Sequence, residues 1–255
     1  NTNALTGAVT ITTNDDSGTD ADATIDNGTT ALILAASTID GDLTVTSGNT
    51  SGITDNGTLT VGGNLSAITD ANNGVISLDQ LAVDGTVALT TNGSGNATVV
   101  NDAGFLFGGS SGSTVGGNLS VTATTGNITD NNNGRVTVAG TSSFTTSANN
   151  ATITLDDTDH AFSGAITITT NDDSGTDADA TIDNGTTALI LAASTIDGDL
   201  SLTSGHASGI TDSGTLTVGG NLAAITDANN GVISLDQLAV DGLTTLQTHG
   251  TGNAT

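Results

Sequence analysis

The side chains able to do chemistry in this chain are almost all carboxylates. Its 27 acids are all Asp, set against Arg135 as the one Lys or Arg, with three His and no Cys, Tyr or Trp. They are densest in Asn14-Asp-Asp-Ser-Gly-Thr-Asp-Ala-Asp22, which returns as Asn171–Asp179. Asp15, Asp16, Asp20 and Asp22 thus lie within eight residues, as do Asp172, Asp173, Asp177 and Asp179. Ca²⁺ takes about six to eight hard oxygen ligands, and carboxylates interleaved with Asn, Ser and Thr around a Gly can supply them. The spacing fits neither an EF-hand nor the nonapeptide of the Ca²⁺ β-roll. Ca²⁺ at these two loops is the one cofactor expected, against the alternative of solvated acidic loops.

A second acidic feature is the set Asp26, Asp55, Asp70, Asp102 and Asp130, which take matching turn positions in sequence. Stacked as a column about 4.8 Å apart, they would repel by nearly 1 kcal/mol per pair even in water. They must cap backbone N–H groups or share cations. His206 and His249 stand where an earlier copy has Asn49 and Asn92, and His160 reads as part of a surface loop. Catalysis is not expected, and no catalytic residue is assigned. Glycosidases need a carboxylate pair in a cleft, whereas this chain repeats its acids along its length without aromatic or basic partners. The net charge of −26 excludes nucleic acid as a partner and disfavours anionic lipid. No apolar run approaches the roughly 20 residues of a membrane span.

These residues must be positioned by short strands. Gly, Thr, Asn, Asp, Ala and Ser dominate, Val, Ile and Leu form the core, and Pro, Met, Glu and Lys are absent. That alphabet favours strands and tight turns over helices. Leu5–Thr98 recurs as Phe162–Thr255 at an offset of 157 residues, with 79 of 94 positions identical. Within it, a Gly followed by alternating apolar residues recurs at Gly7, Gly41, Gly63, Gly85, Gly117, Gly140 and Gly164, spaced 34, 22, 22, 32, 23 and 24 residues apart. Alternation describes a strand with one buried face. Asn-Gly corners such as Asn27-Gly28 supply positive φ without steric penalty. The expected fold is all-β: a parallel β-helix of about 22 residues per coil, nested in the 157-residue tandem repeat. Six coils per large repeat would rise roughly 29 Å. The Gly-led strands should form one sheet, with Leu43, Leu65, Val87 and Leu119 stacked inside, and an outward row (Thr10, Thr44, Ser66, Ser120) broken by Ala88 and Ile68. Residues 1–6 would end a preceding repeat, 7–163 form one complete large repeat, and 164–255 a partial second copy, in one continuous solenoid and a piece of something longer.

Phrases such as Gly57-Thr-Leu-Thr-Val-Gly-Gly-Asn-Leu-Ser66 and Gly41-Asp-Leu-Thr-Val-Thr-Ser47 resemble the repeats of filamentous-haemagglutinin-like and autotransporter-like giant adhesins of bacteria. The resemblance is one of style, covers essentially the whole chain and transfers no binding residue. It implies a right-handed parallel β-helix that is exported and either attached to the cell surface or released. The expected function is an extracellular structural or adhesive rod or filament, rigidified by Ca²⁺. Its expected partners are copies of itself, and cell-surface glycans or other cells. The alternatives are an adhesin whose recognition domain lies outside this stretch, an ice-binding solenoid, and a polysaccharide-acting β-helix enzyme.

Overall fold

The computed structural model describes residues 3–14, 21–70, 73–131, 134–171, 178–227 and 230–255. Two parallel sheets, one of 14 strands and one of 15, face each other along a solenoid. Each strand pairs with its equivalent one turn away, as Leu43 with Leu65 and Leu65 with Val87. The 14-stranded sheet, here the first, has a path of eleven strands from Ala23–Asp26 to Thr244–Thr248, which makes ten turns. Inward residues form continuous columns, for example Leu43–Leu65–Val87 beside Val45–Ala67–Leu89, all fully buried. Each such side chain contributes roughly 1.5–3 kcal/mol, so stability accumulates turn by turn. The four Phe residues sit in the middle turns. Phe105–Phe107, Phe107–Phe144 and Phe144–Phe162 meet edge to face at 4.7, 6.2 and 5.5 Å.

The Gly-led strands do not form one sheet. Leu43–Ser47, Leu65–Thr69 and Thr86–Thr90 lie in the first sheet. The next three, Leu119–Ala123, Ser142–Asn149 and Ile166–Asn171, lie in the second. Leu200–Ser204, Leu222–Thr226 and Thr244–Thr248 return to the first. Leu119 therefore stacks between Ala97 and Ser142 and never meets Val87. The long spacings of 34 and 32 residues are each one and a half turns of 22. From Leu43 to its duplicate Leu200 the first-sheet path makes seven steps, so a large repeat holds seven turns rather than six. Its rise is about 34 Å. In the first sheet the outward row is broken as expected, where Ser66 meets Ala88 and Thr46 meets Ile68. In the second sheet Thr54, Ser77, Thr98, Ser120, Ser143 and Thr167 form a hydroxyl column over six successive strands, ended by Ile33 beside Thr54.

The glycine that opens each strand has a steric cause. A Cβ on Gly63 would collide with the Asp42 carboxylate and the Gly41 backbone, and one on Gly140 with the Asn118 side chain and the Gly117 carbonyl. Gly63→Ala is expected to lower stability by about 1–3 kcal/mol, the usual range for overpacking. Gly7→Ala, with nothing within 4 Å of the added carbon, is the matched control and should melt within about 0.5 kcal/mol of the parent. Equal melting of the two variants would refute the steric account.

Candidate functional site

What crowds the glycines is a ladder of Asp and Asn side chains at the strand starts. Asp22 Oδ1 accepts the Asp42 N–H at 2.8 Å, Asp42 Oδ1 the Asn64 N–H at 2.7 Å, and Asn64 Oδ1 the Thr86 N–H at 2.8 Å. In the second sheet Asn96 serves Asn118, and Asn118 serves Thr141. Back in the first sheet Asp179, Asp199 and Asn221 serve Asp199, Asn221 and Leu243. Each Asx replaces a backbone acceptor with its side chain, and this pulls the next coil's glycine close. The sequence signal, overlooked in the pattern of apolar positions, was the Asp or Asn directly after the Gly.

The ladder bears on the calcium candidates. Asp22 and Asp179 are its first rungs, each already accepting a backbone N–H. Asp15, Asp16, Asp20, Asp172, Asp173 and Asp177 lie outside the described residues. The bases of both loops are fixed: Thr13 Oγ1 donates to the Ala21 carbonyl and Thr170 Oγ1 to that of Ala178, each at 2.8 Å. The same bond closes the ordinary corners after five residues, from Thr69 to Gly74 and from Thr146 to Ala151. The described residues flanking the Asp-rich segments thus carry the same closing bond as a standard corner. Among the described residues no three His or Asp side chains gather as a metal site.

The expected Asp column does not form, because successive members fall in different sheets. Asp26 pairs with Thr46, Asp55 with Leu34 and Asp130 with Phe107. Three of the carboxylates instead cap backbone: Asp26 receives the Gly28 N–H, Asp55 those of Asp79 and Gln80, and Asp130 that of Asp157. Burial pushes the Asp55 and Asp183 carboxyls above their ordinary range, against the N–H bonds that oppose the shift. Their folded forms bind a proton more tightly than their unfolded forms. Each therefore contributes stability at low pH that is lost as pH rises through its raised pKa.

His160 is not in a surface loop; it is 1% exposed. Its Nδ1 accepts the Val136 N–H at 2.9 Å, so the ring proton lies on Nε2, which meets Asp130 Oδ2 at 2.6 Å. His160 also packs on Phe162, with ring centroids 5.4 Å apart. His206 accepts the Ser208 N–H within its own turn, and His249 Nδ1 meets the Thr226 carbonyl one turn away. Buried Asn27, Asn101 and Asn184 resemble His160 in role, each bonding the backbone of a residue in a neighbouring turn. These groups tie neighbouring turns to one another.

The family described as repeats of unknown function (DUF5649) matches residues 20–92, 94–169 and 177–248, most of the chain, and the protein belongs to it. Each matched unit contains one run of three Gly-led strands, so two units fill a large repeat and each spans about three and a half turns. The sheet exchange falls between units. Ser37, Ser113 and Ser194 mark one shared position, each hydroxyl accepting a backbone N–H from Ile11, Leu89 or Ile168. No curated protein and no solved structure matches the chain.

Proposed function

We propose that this member of the DUF5649 repeat family is a non-enzymatic, extracellular structural rod of a bacterial surface, adhesive through its length or through parts beyond this stretch. The observation that carries the reading is the first-sheet ladder, which runs through ten turns and passes both sheet exchanges without a break. A solenoid extends by adding turns and resists stretching through ladders loaded along its length. Its tandem units suit a spacer, since repetition adds reach. The acidic coat keeps rods apart until cations screen them, and end-to-end pairing of copies gives filaments.

Chains carrying one, two and three large repeats, imaged as single particles, should lengthen by about 34 Å per repeat at constant width. Beads on a flexible string, or a length that does not scale, would refute the rod. Calcium at the Asp-rich loops belongs to the same reading. Removing it with EGTA should lower the melting midpoint and make the particles more curved. No change in either, with no heat on calcium titration, removes calcium from the proposal.

A further inference from the structure

The corners of the middle unit are longer than those of the units before and after it, and the first of them borders the short-cornered unit. Between Leu34 and Ser37, and between Leu191 and Ser194, two residues suffice, whereas the equivalent Phe107 and Ser113 are joined by five, residues 108–112. This longer corner makes a ledge over the outer face of the first sheet, and Gly109 comes so close to Ala88 that a Cβ would sit 3.0 Å from the Ala88 methyl. Beside the ledge lies a groove of about 370 Å³ that crosses three turns. Outward Thr44, Ser66, Ile68, Thr86, Ala88 and Thr90 line it, with Asp42 and Asn64 at its rim.

A second observation, taken from sequence alone, falls on the same place. The two copies of the large repeat agree at 79 of 94 compared positions, yet five of these six outward residues differ. Thr44, Ser66, Thr86, Ala88 and Thr90 become Ser201, Ala223, Leu243, Thr245 and Gln247. Outward strand residues elsewhere do not drift: Thr24, Thr38, Thr54, Thr60, Ser77 and Thr98 recur as Thr181, Thr195, Thr211, Thr217, Ser234 and Thr255, and the other differences fall on turns such as Asn49–Thr50 and on inward residues such as Val45 and Val87. Outward position alone therefore does not explain the change.

We propose that this groove binds a neutral polysaccharide. The hydroxyls of Thr44, Ser66 and Thr90 along the trough offer hydrogen bonds to sugar hydroxyls, and Ile68 and Ala88 offer a narrow apolar strip to a sugar's C–H face, while Asp42 and Asn64 are engaged as ladder rungs. The net charge of −26 repels sulfated, uronic or phosphate-bearing chains. A peptide strand would need a free sheet edge, and this is a sheet face whose backbone is already paired. The trough crosses three successive strands, which suits a chain more than a single sugar. The proposal deepens the adhesive part of the reading above and is independent of the rod.

Titration of the whole 255-residue protein with neutral glucan, mannan and galactan, and with alginate and heparin as acidic comparators, tests it. At least one neutral polymer should bind saturably, and salt should not weaken it. Ser66→Trp, which fills the trough from an outward position, should weaken binding at least roughly tenfold with an unchanged melting midpoint. Deletion of Gly109, Ser110 and Ser111, which restores the two-residue corner, should do the same. Binding of no neutral polymer, binding retained by both variants, or preference for the acidic comparators would each overturn the proposal. None of these outcomes touches the length test of the rod.

Discussion

His160→Ala is expected to lower stability by about 3–5 kcal/mol, among the largest effects of any single substitution in the chain. Three losses add. The Val136 N–H, buried under the ring, loses its acceptor, and an unsatisfied buried donor costs about 1–3 kcal/mol. The Asp130 carboxylate loses its bond from Nε2, keeping the Asp157 N–H at 3.1 Å. The face of Phe162 loses a packed ring and gains a void. A fall of roughly 10 °C in the melting midpoint follows for a chain of this size. Because a solenoid opens turn by turn, amide exchange gives the sharper reading. Protection should fall first at Val136 and across Ile128–Asp130 and Ala161–Phe162, while the turns around Leu43 and Leu222 keep theirs. His160→Gln, whose amide can accept and donate at once, should recover part of the loss. A variant with no local loss of protection would show that the imidazole fills space and nothing more.

That histidine shows where the sequence was legible and where it was not. The strands were readable because alternation of Leu-Thr-Val type directly reports a buried face, and the coil length followed from the glycines. The sheet to which a strand belongs was not readable from alternation. A half turn moves a strand to the opposite sheet and leaves its inside and outside unchanged, so Leu119 and Leu65 look alike in sequence. The only trace was arithmetic: 34 and 32 are one and a half times 22. The Asp42 and Asn64 rungs of the ladder were encoded in the residue after each glycine, with Asp22 after Ala21, yet their meaning required knowing that the next coil's N–H points there. For His160 the local string Asp156-Asp-Thr-Asp-His160 is a loop composition, and its burial comes from Val136 and Asp130, 24 and 30 residues earlier. Such a partner is invisible until turns are stacked. The groove beside Ala88 depends on the same stacking, because its ledge at residues 108–112 lies one turn away in space.

Asn184→Asp is expected to be strongly destabilising at neutral pH and largely rescued in acid, a sign that separates electrostatics from packing. Asn184 is fully buried. Its Oδ1 accepts the Phe162 N–H at 2.8 Å, and its Nδ2 donates to the Phe162 carbonyl at 3.1 Å and the Ala188 carbonyl at 2.9 Å. The side chain thus pairs with Phe162 as a strand residue would. An Asp keeps the acceptor but turns its second oxygen, without a proton, toward two carbonyl oxygens. Its neighbour Asp183 adds a like charge whose own carboxyl is already pushed up by burial. Burial and these acceptors favour the protonated acid, so the folded pKa of the new group lies above its unfolded value of about 3.9. Stability is then fully present below that unfolded value and is lost as pH rises through the folded pKa, at about 1.4 kcal/mol per pH unit between the two. The variant should therefore melt close to the parent near pH 4, and about 3–5 kcal/mol below it at neutral pH. Asn184→Ala, which leaves one N–H and two carbonyls unpaired, should lose about 2–4 kcal/mol at every pH. The difference between variant and parent is the quantity to plot, since the remaining Asp residues titrate in both. A difference for Asn184→Asp that stays flat with pH would mean the site tolerates the charge, and that the Phe162 bridge depends on shape alone.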